Sequence, residues 1–141
     1  MESMITLTDQ MREMIDPALA NGVPCILATA SADREPDIGY KGSTMVFDGE
    51  SLAYWERTKR QHLKNLLENP RVIVLFRDAK TRVNWRFHGV ATIHEKGPIR
   101  EQVMARTVKA ELDKDPERKG SAVVIRVDKV TNLAGEVLQT R

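Results

Sequence analysis

Residues 51–70 read SLAYWERTKRQHLKNLLENP and contain a strand pattern that runs directly into a short helix pattern. The aromatic and apolar residues from Ser51 to Glu56 predict the strand. Thr58 and Gln61 then have the Thr-x-x-Gln spacing of a capping box, and the leucines behind them predict the apolar face of a helix. The Asn69-Pro70 pair predicts the end of this helix.

The charges at this predicted helix start are opposite to the usual ones. A helix N-terminus carries partial positive charge and favours acidic residues, yet Lys59 and Arg60 lie in the predicted first turn, with Arg57 just before it. Backbone N–H groups together with these side chains would form a phosphate-binding cradle. The alternative, which this stretch alone leaves open, is a solvated basic helix end.

Two other predicted helices follow the usual rule. The segment from Thr8 to Ile15 predicts a helix with Thr8 as N-cap and Asp9 in its first turn. The segment from Pro98 to Leu112 predicts a second helix, with Glu101 close behind the starting proline. The basic start at Thr58 is thus exceptional within its own chain, which favours an anion-binding site there.

Length, charge and cysteine content narrow the class of protein. The 141 residues are enough for one domain with a substantial core, and we expect residues 1–141 to form a single domain. The net charge of +2 and the pI of about 8.8 do not indicate nucleic-acid binding. No membrane-spanning run or signal-peptide pattern is visible, so we expect a cytoplasmic protein with no membrane partner. The single Cys25 lies in an apolar run and is expected to be a small buried residue.

Apolar and alternating segments separated by turn signals predict six strands, mostly in hairpin order. They are Val23–Ser31, Asp37–Gly42 with a continuation through Phe47, Ser51–Glu56, Arg71–Phe76, Val83–Glu95 and Ser121–Val127. Two glycines in the second strand indicate a bulge or the close approach of another group. With one short and one longer helix between them, these strands predict a mainly β fold, an antiparallel β-barrel with peripheral helices.

The longest predicted strand has two different faces. One is apolar and is expected to lie in the core: Trp85, Phe87, Gly89, Ala91 and Ile93. The other is mixed: Asn84, Arg86, His88, Val90 and Thr92. A mixed face could contact a ligand or a partner subunit, and an exposed barrel face is the equal alternative.

Several familiar sites are not indicated. The chain has no His-x3-His or Cys-x2-Cys pair, so we expect no metal site, and His62, His88 and His94 are too scattered to suggest one. It has no Gly-x-Ser-x-Gly and no Gly-x-Gly-x-x-Gly, which argues against a hydrolase triad and a Rossmann dinucleotide site. No catalytic residue can be assigned from these patterns.

The remaining candidate site is the basic helix start, which directly follows an aromatic strand. The segment from Lys41 to Thr44 is expected to lie next to it. Three motifs stand out in order along the chain: Asp48-Gly49-x-x-Leu52, Leu67-Glu68-Asn69-Pro70-Arg71-Val72 and Trp85-Arg86-Phe87-His88-Gly89-Val90-Ala91. With these motifs, the order of elements from about Pro24 to Ile93 resembles that of the FMN-binding split barrel typified by pyridoxamine 5′-phosphate oxidase, in a small single-domain form. The resemblance implies a six-stranded antiparallel split β-barrel that binds FMN.

Carried over by position, the resemblance implies that one set of residues binds the cofactor. They are Lys41, Gly42, Ser43, Thr44, Trp55, Glu56, Thr58, Lys59, Arg60, Gln61, His62 and Asn84. Within this set, Trp55 and Glu56 would lie along the flavin, and Arg60 would carry most of the phosphate binding. Asn84 would contact the flavin from the neighbouring subunit, because two subunits build the flavin sites in this family. We therefore expect a homodimer.

Two departures from the family pattern affect the expected activity. Tyr40 and Met45 stand where the oxidase has Arg and Lys, so the phosphate contacts are rearranged. The chain reaches Arg141 without the Trp- and Arg-containing segment that helps to hold flavin and pyridoxal phosphate, so we do not expect pyridoxamine phosphate oxidation. The expected function is flavin-mediated hydride transfer to or from an unidentified small molecule. The alternatives are an F420-dependent reductase and a non-catalytic flavin- or haem-binding module that uses His62, His88 or His94.

Overall fold

A computed structural model of the chain describes residues 4–141 as one antiparallel sheet with helices at its periphery. The helices are α1 (Asp9–Ile15), α2 (Gln61–Glu68), α3 (Pro98–Arg106) and α4 (Lys109–Leu112). The strands are β1 (Cys25–Ala30), β2 (Pro36–Lys41), β3 (Met45–Val46), β4 (Ser51–Glu56), β5 (Arg71–Asp78), β6 (Val83–His94), β7 (Ser121–Thr131) and β8 (Val137–Thr140).

The strands follow one another across the sheet in the order β2-β1-β5-β6-β7-β4-β3, and β8 pairs with β7. Every pairing is antiparallel, and the predicted mainly β split barrel is confirmed. The strand β2 lies at one edge, with Ile38 and Tyr40 exposed on it. The edge position of β2 matters because this strand also borders a cavity.

The sheet has eight strands where six were predicted, for two local reasons. The chain turns after Lys41, where the backbone N–H and the hydroxyl of Thr44 both donate to the Lys41 carbonyl, at 3.2 Å and 2.7 Å. The predicted continuation through Phe47 is therefore a separate short strand, β3. The residues near the end of the chain fold back as β8, which the sequence pattern does not indicate.

The larger hydrophobic core includes residues of the predicted apolar face of β6. Trp85 and Phe87 are buried, and Trp85 stacks on Phe76 with ring centroids 5.6 Å apart. Cys25 is buried as predicted, and burial raises the pKa of its thiol to about 12. The thiol therefore stays protonated at neutral pH and serves as a packing group.

The helix predicted over Pro98–Leu112 is divided into α3 and α4. Thr107 has an extended backbone (φ −67°, ψ 135°), and its hydroxyl donates to the Val103 carbonyl at 2.7 Å. By bonding to this carbonyl, the threonine hydroxyl competes with the backbone hydrogen bond that would continue the helix. Threonine commonly has this effect at helix ends. In contrast, α1 begins as predicted, with Thr8 as its N-cap. No helix within residues 4–141 is long and apolar enough to cross a membrane.

Candidate functional site

A cavity of about 360 Å³ lies between β2 and the segment that joins β4 to α2. We call it the β2–α2 cavity. It brings together eight of the predicted cofactor-binding residues: Lys41, Gly42, Ser43, Trp55, Thr58, Arg60, Gln61 and His62. Its wall is completed by Asp37, Ile38, Gly39, Tyr40, Arg57 and Glu111. Eight of the predicted residues thus lie on one continuous surface, and their binding of a cofactor stays a prediction.

Behind the cavity wall, Glu56 forms the centre of a polar cluster. Its side chain is 1% exposed, and its Oε2 lies 2.7 Å from the Lys41 Nζ. Its Oε1 accepts hydrogen bonds from the Thr58 hydroxyl at 3.0 Å and from the Lys59 backbone N–H at 3.1 Å. A carboxylate at the end of β4 therefore holds β2 and the chain that leads into α2 in fixed positions.

The predicted capping box at Thr58 is wrong. Helix α2 begins at Gln61 with Arg60 as N-cap, and no side chain caps it. The Thr58 hydroxyl binds Glu56 instead, and the Gln61 amide donates to the Asn65 Oδ1 at 2.7 Å. Lys59 and Arg60 consequently precede the first turn rather than lie within it, and Lys59 has a positive φ of 50°. The strand carboxylate competes with the local capping pattern and wins, because it is buried and ionic.

The cationic side chains that line the cavity differ in whether they are already paired with a carboxylate of the protein. Lys41 is paired with Glu56, and the Arg57 Nε lies 3.3 Å from the Glu111 Oε2. The Arg60 guanidinium makes no hydrogen bond or ion pair with any residue in 4–141. Arg60 is therefore the cavity cation best placed to receive an external anion.

His62 is bound on one side and open on the other. Its Nδ1 lies 2.8 Å from the Thr29 Oγ1, and Thr29 also accepts a hydrogen bond from the Asn65 Nδ2 at 2.9 Å. Partial burial and the nearby Lys41 charge lower the pKa of His62, although Asp37 and Glu56 oppose that shift. His62 is therefore neutral at pH 7.

The hydroxyls predicted to touch the cofactor bind the protein itself. The Ser43 Oγ donates to the Trp55 carbonyl at 3.2 Å and accepts from the Trp55 N–H at 2.9 Å. Thr44 is buried and binds Lys41, and it does not line the cavity. Of the two residues only Ser43 forms part of the wall, and both hydroxyls are already engaged within residues 4–141.

Trp55 connects the cavity wall to the charged loop after α4. Its indole Nε1 donates to the Asp115 Oδ2 at 2.9 Å, and that oxygen also accepts from the Gly120 N–H at 2.9 Å. Burial would raise the pKa of Asp115, but hydrogen bonds from Lys119, Trp55 and Gly120 outweigh it and lower that pKa. The ionised carboxylate therefore fixes both the tryptophan and the loop.

Asn84 lies elsewhere on the protein. Its Oδ1 accepts from the Leu133 N–H at 2.7 Å, and the neighbouring Arg86 donates to the Leu133 carbonyl at 2.8 Å. A contact from Asn84 to a ligand in the β2–α2 cavity of another subunit stays a prediction. The remaining predicted residues outside the cavity lining, Glu56, Lys59 and Thr44, are adjacent to it in sequence or structure.

The sequence prediction missed several lining residues. Asp37, Ile38 and Gly39 belong to a strand that was recognised, and the alternation of Asp37 and Gly39 with Lys41 could have indicated a shared face. Glu111 gave no such signal, because it comes from α4 and approaches Gly42 from a distant part of the chain. Gly42 has no side chain at the point where the Glu111 carboxylate packs.

Within residues 4–141, no group of three or more His, Cys, Asp or Glu side chains is arranged to hold a metal ion. The three histidines are also separated. His62 lines the β2–α2 cavity, and His88 lines a second cavity beside β1 and β5. The Nε2 of His88 is buried and has no hydrogen-bond partner among the described residues.

Comparison with solved structures supports the fold assignment. A protein from Lactobacillus delbrueckii, named after pyridoxamine 5′-phosphate oxidase, is 26% identical with a TM-score of 0.70, over 93% of this chain and 99% of that chain. HupZ of Group A Streptococcus is 26% identical with a TM-score of 0.71, over 93% and 98% of the two chains. An FMN-binding protein from Syntrophomonas wolfei shares the fold at 13% identity, with a TM-score of 0.69 over 88% and 86%.

More distant structures share the fold alone. They include an F420 reductase, 20% identical with a TM-score of 0.58 over 83% and 95% of the two chains. They also include HutZ, the heme storage protein of Vibrio cholerae, 17% identical with a TM-score of 0.64 over 81% and 89%. Proteins with this fold thus differ in what their names say they bind.

Sequence comparison gives the family directly. No curated protein matches the chain. The family model described as pyridoxamine 5′-phosphate oxidase matches residues 7–133, which is most of the 141-residue chain. The chain therefore belongs to the pyridoxamine 5′-phosphate oxidase family.

Proposed function

We propose that this protein is an FMN-binding oxidoreductase whose flavin lies in the β2–α2 cavity. When bound, FMN supplies the hydride-transferring atom, so the chain itself needs only to bind and orient the cofactor and a small-molecule substrate. The observation that carries the proposal is the convergence of predicted cofactor-binding residues on one cavity wall.

The size and chemistry of the cavity fit a flavin phosphate. Ligand cavities in proteins span about 300–1,000 Å³, and this one has a volume of about 360 Å³. The Arg60 guanidinium lines the cavity without an internal partner in residues 4–141, so an anion there would gain a new charge-assisted bond. Gly39 and Gly42 lack the side chains that would otherwise narrow the wall.

The direct test is to remove the two cations that precede α2. Replacing Lys59 and Arg60 together with Ala is expected to weaken FMN binding by about ten- to a hundredfold, because hydrogen bonds to charged groups contribute about 1.5–3 kcal/mol each and exposure reduces that value. Titration of the apoprotein, followed by flavin fluorescence, measures the dissociation constant. The Lys64→Ala/Lys96→Ala double variant loses the same charge outside the cavity lining and should bind FMN like the wild type.

The outcomes separate the alternatives. A wild-type protein that stays colourless and ignores added FMN would refute the proposal. Tighter binding of F420 in a competition titration would replace FMN by that cofactor on the same fold. Equal FMN affinity in the two double variants would show that the phosphate does not bind at Lys59 and Arg60.

We also propose that the active form is a homodimer. Ile38 and Tyr40 on the edge strand β2 are 68% and 72% exposed, and both line the cavity. Exposed apolar side chains grouped beside a cavity are typical of an interaction surface, and a second subunit would shield them and restrict water access to the flavin. Asn84 of the second subunit is the residue that we expect to contact the flavin across the interface.

Replacing Ile38 and Tyr40 with Asp and Ser tests this homodimer. Light scattering coupled to size-exclusion chromatography should give a dimer mass for the wild type and a monomer mass for the variant. The matched control is Leu67→Ser, since Leu67 is 74% exposed on α2 but does not line the cavity. A monomeric wild type, or a variant that stays dimeric, would contradict the proposed interface.

A further inference from the structure

His62 is held by a chain of partly buried hydrogen bonds that has a direction. The Gln61 Nε2 donates to the Asn65 Oδ1 at 2.7 Å, and the Asn65 Nδ2 donates to the Thr29 Oγ1 at 2.9 Å. Because the Thr29 oxygen accepts from Asn65, its own hydrogen is available to the His62 Nδ1, 2.8 Å away. Thr29 and Asn65 are 4% and 1% exposed, so water does not compete readily for these groups.

The direction of this chain determines which nitrogen of His62 carries the proton. If Thr29 donates to Nδ1, then Nδ1 is the acceptor of the neutral imidazole and Nε2 carries the hydrogen. The reverse direction, with both amides turned over, would place an Nε2 lone pair toward the Asp37 carboxylate, whose Oδ2 lies 3.8 Å away. A lone pair facing a carboxylate is electrostatically unfavourable, whereas an N–H dipole facing it is favourable.

The Nε2 side of the ring is open toward the β2–α2 cavity. At 3.8 Å, Asp37 is too far for a hydrogen bond, and no other group in residues 4–141 accepts from Nε2. Gly39 lies beside this nitrogen, and a Cβ there would approach it to 3.1 Å. The absence of a side chain at Gly39 therefore leaves room around the Nε2–H.

We propose that His62 presents a neutral Nε2–H donor to an acceptor atom of the ligand in the β2–α2 cavity, and that Thr29 and Asn65 act as positioning residues that hold this tautomer. The inference rests on the proposed function for the identity of that ligand, FMN. Any carbonyl, ring nitrogen or phosphate oxygen of the flavin is a suitable acceptor.

This tautomer also bears on the haem alternative. A histidine ligates iron through a nitrogen lone pair, and its other nitrogen normally donates a hydrogen bond. In His62 the nitrogen that faces the cavity carries the proton, and the buried nitrogen accepts. The arrangement thus suits a donor to an organic ligand and disfavours an axial ligand to haem iron.

The tautomer can be measured without any ligand. The chain has 3 histidines, so nitrogen-15 spectra of their imidazoles at pH 7.5 are simple, and His62→Gln identifies the His62 signals. We expect a protonated Nε2 and an unprotonated Nδ1, and we expect Thr29→Val, which removes the hydroxyl, to give a mixture of tautomers. A predominant Nδ1–H form in the wild type would overturn the inference.

The ligand contact is tested by FMN titration of two variants. His62→Gln keeps an N–H donor near the Nε2 position and should stay within about threefold of the wild-type dissociation constant. His62→Leu has no donor and should bind FMN about tenfold more weakly, while saturating FMN should shift the wild-type Nε2–H resonance.

These measurements separate this inference from the proposed function. A wild type that binds FMN, together with equal affinity in His62→Leu and an unmoved Nε2–H resonance, would overturn the inference and leave the flavin function intact. A wild type that does not bind FMN would refute the flavin function and the flavin contact together, and the spectra of the free protein would still decide the tautomer.

Discussion

Helices α1 and α2 both follow a threonine, yet different groups complete their first turns. At α1 the Thr8 Oγ1 accepts from the Met11 N–H at 3.1 Å, and Asp9 supplies the acidic residue of the first turn. At α2 no side chain caps the helix, and Thr58 donates to the carboxylate of Glu56 on the preceding strand. One start is locally complete, and the other depends on a buried group from the sheet.

The difference shows that a threonine near a helix start can cap the helix at one place and help to form a candidate binding site at another. A helix start that is capped by its own side chain, as at Thr8, has no unpaired basic side chain that could bind a ligand. The start of α2 instead places Arg60 at the helix entrance without an internal partner in residues 4–141, next to His62 and the cavity. Three substitutions or conditions test this contrast, in order of decreasing expected effect.

Removing the buried carboxylate should have the largest effect. Glu56→Ala leaves the Lys41 charge, whose side chain is 13% exposed, without its partner. Loss of one member of a buried ion pair costs about 3–5 kcal/mol in the free energy of unfolding. Denaturant unfolding monitored by tryptophan fluorescence measures this loss.

The matched control for that variant removes the charge on both sides. The Lys41→Met/Glu56→Gln double variant leaves no unpaired buried charge and is expected to recover much of the lost stability. A loss below about 1 kcal/mol in Glu56→Ala would show that Glu56 does not organise the start of α2.

The two threonines should differ in a smaller way. Thr8→Ala removes a true N-cap and is expected to lower the free energy of unfolding by about 1 kcal/mol. Thr58→Ala removes one of several bonds to Glu56, which keeps Lys41 and the Lys59 N–H, so we expect a loss of about 0.5 kcal/mol. Thr58→Ser is the conservative control. A larger loss at Thr58 than at Thr8 would reverse the comparison.

The smallest effect should be a pH dependence of stability that comes from His62 on α2 and His88 on β6. Burial lowers the pKa values of both His62 and His88 in the folded protein, so the unfolded chain binds more protons near pH 6. Their stabilising contributions are therefore complete above the ordinary histidine pKa of 6.5 and are lost as the pH falls through the lowered pKa values.

Unfolding measured from pH 7.5 to pH 5 should accordingly show a free energy of unfolding that decreases as the pH decreases. His62→Gln should reduce the slope of the free energy of unfolding against pH. A stability that rises as the pH falls over this range would contradict the assigned direction of the His62 shift.

The sequence allowed the fold class to be predicted because strand patterning is local. The alternation in Trp85 and Phe87 on β6 and the turn at Asp48-Gly49 are readable from neighbouring residues alone. The end of α3 at Thr107 cannot be read in this way, because it depends on competition for backbone hydrogen bonds. The return of the chain as β8 cannot be read either, because it depends on an available edge of β7. Boundaries were therefore predicted less well than strands.

The site was partly predictable for a similar reason. Residues close together in sequence, such as Arg60 and His62, could be assigned to one surface from their position at the predicted helix start. The contacts that define their state come from far away: Lys41 is paired with Glu56 across 15 residues, and Thr29 reaches His62 across 33. Buried partners at such distances decide which local pattern is used, and a pattern such as Thr58-x-x-Gln61 contains no information about them.

The close approach of Gly39 to His62 has an evolutionary consequence. A Cβ at position 39 would lie 3.1 Å from the ring nitrogen, so a larger residue there fits only if the His62 ring shifts by a few tenths of an ångström. The two positions are expected to covary among homologues, with glycine at one accompanying histidine at the other. In a double-mutant cycle, Gly39→Ala should cost stability beside His62 and little beside a smaller residue, which would make the two positions epistatic although one lies on β2 and the other on α2.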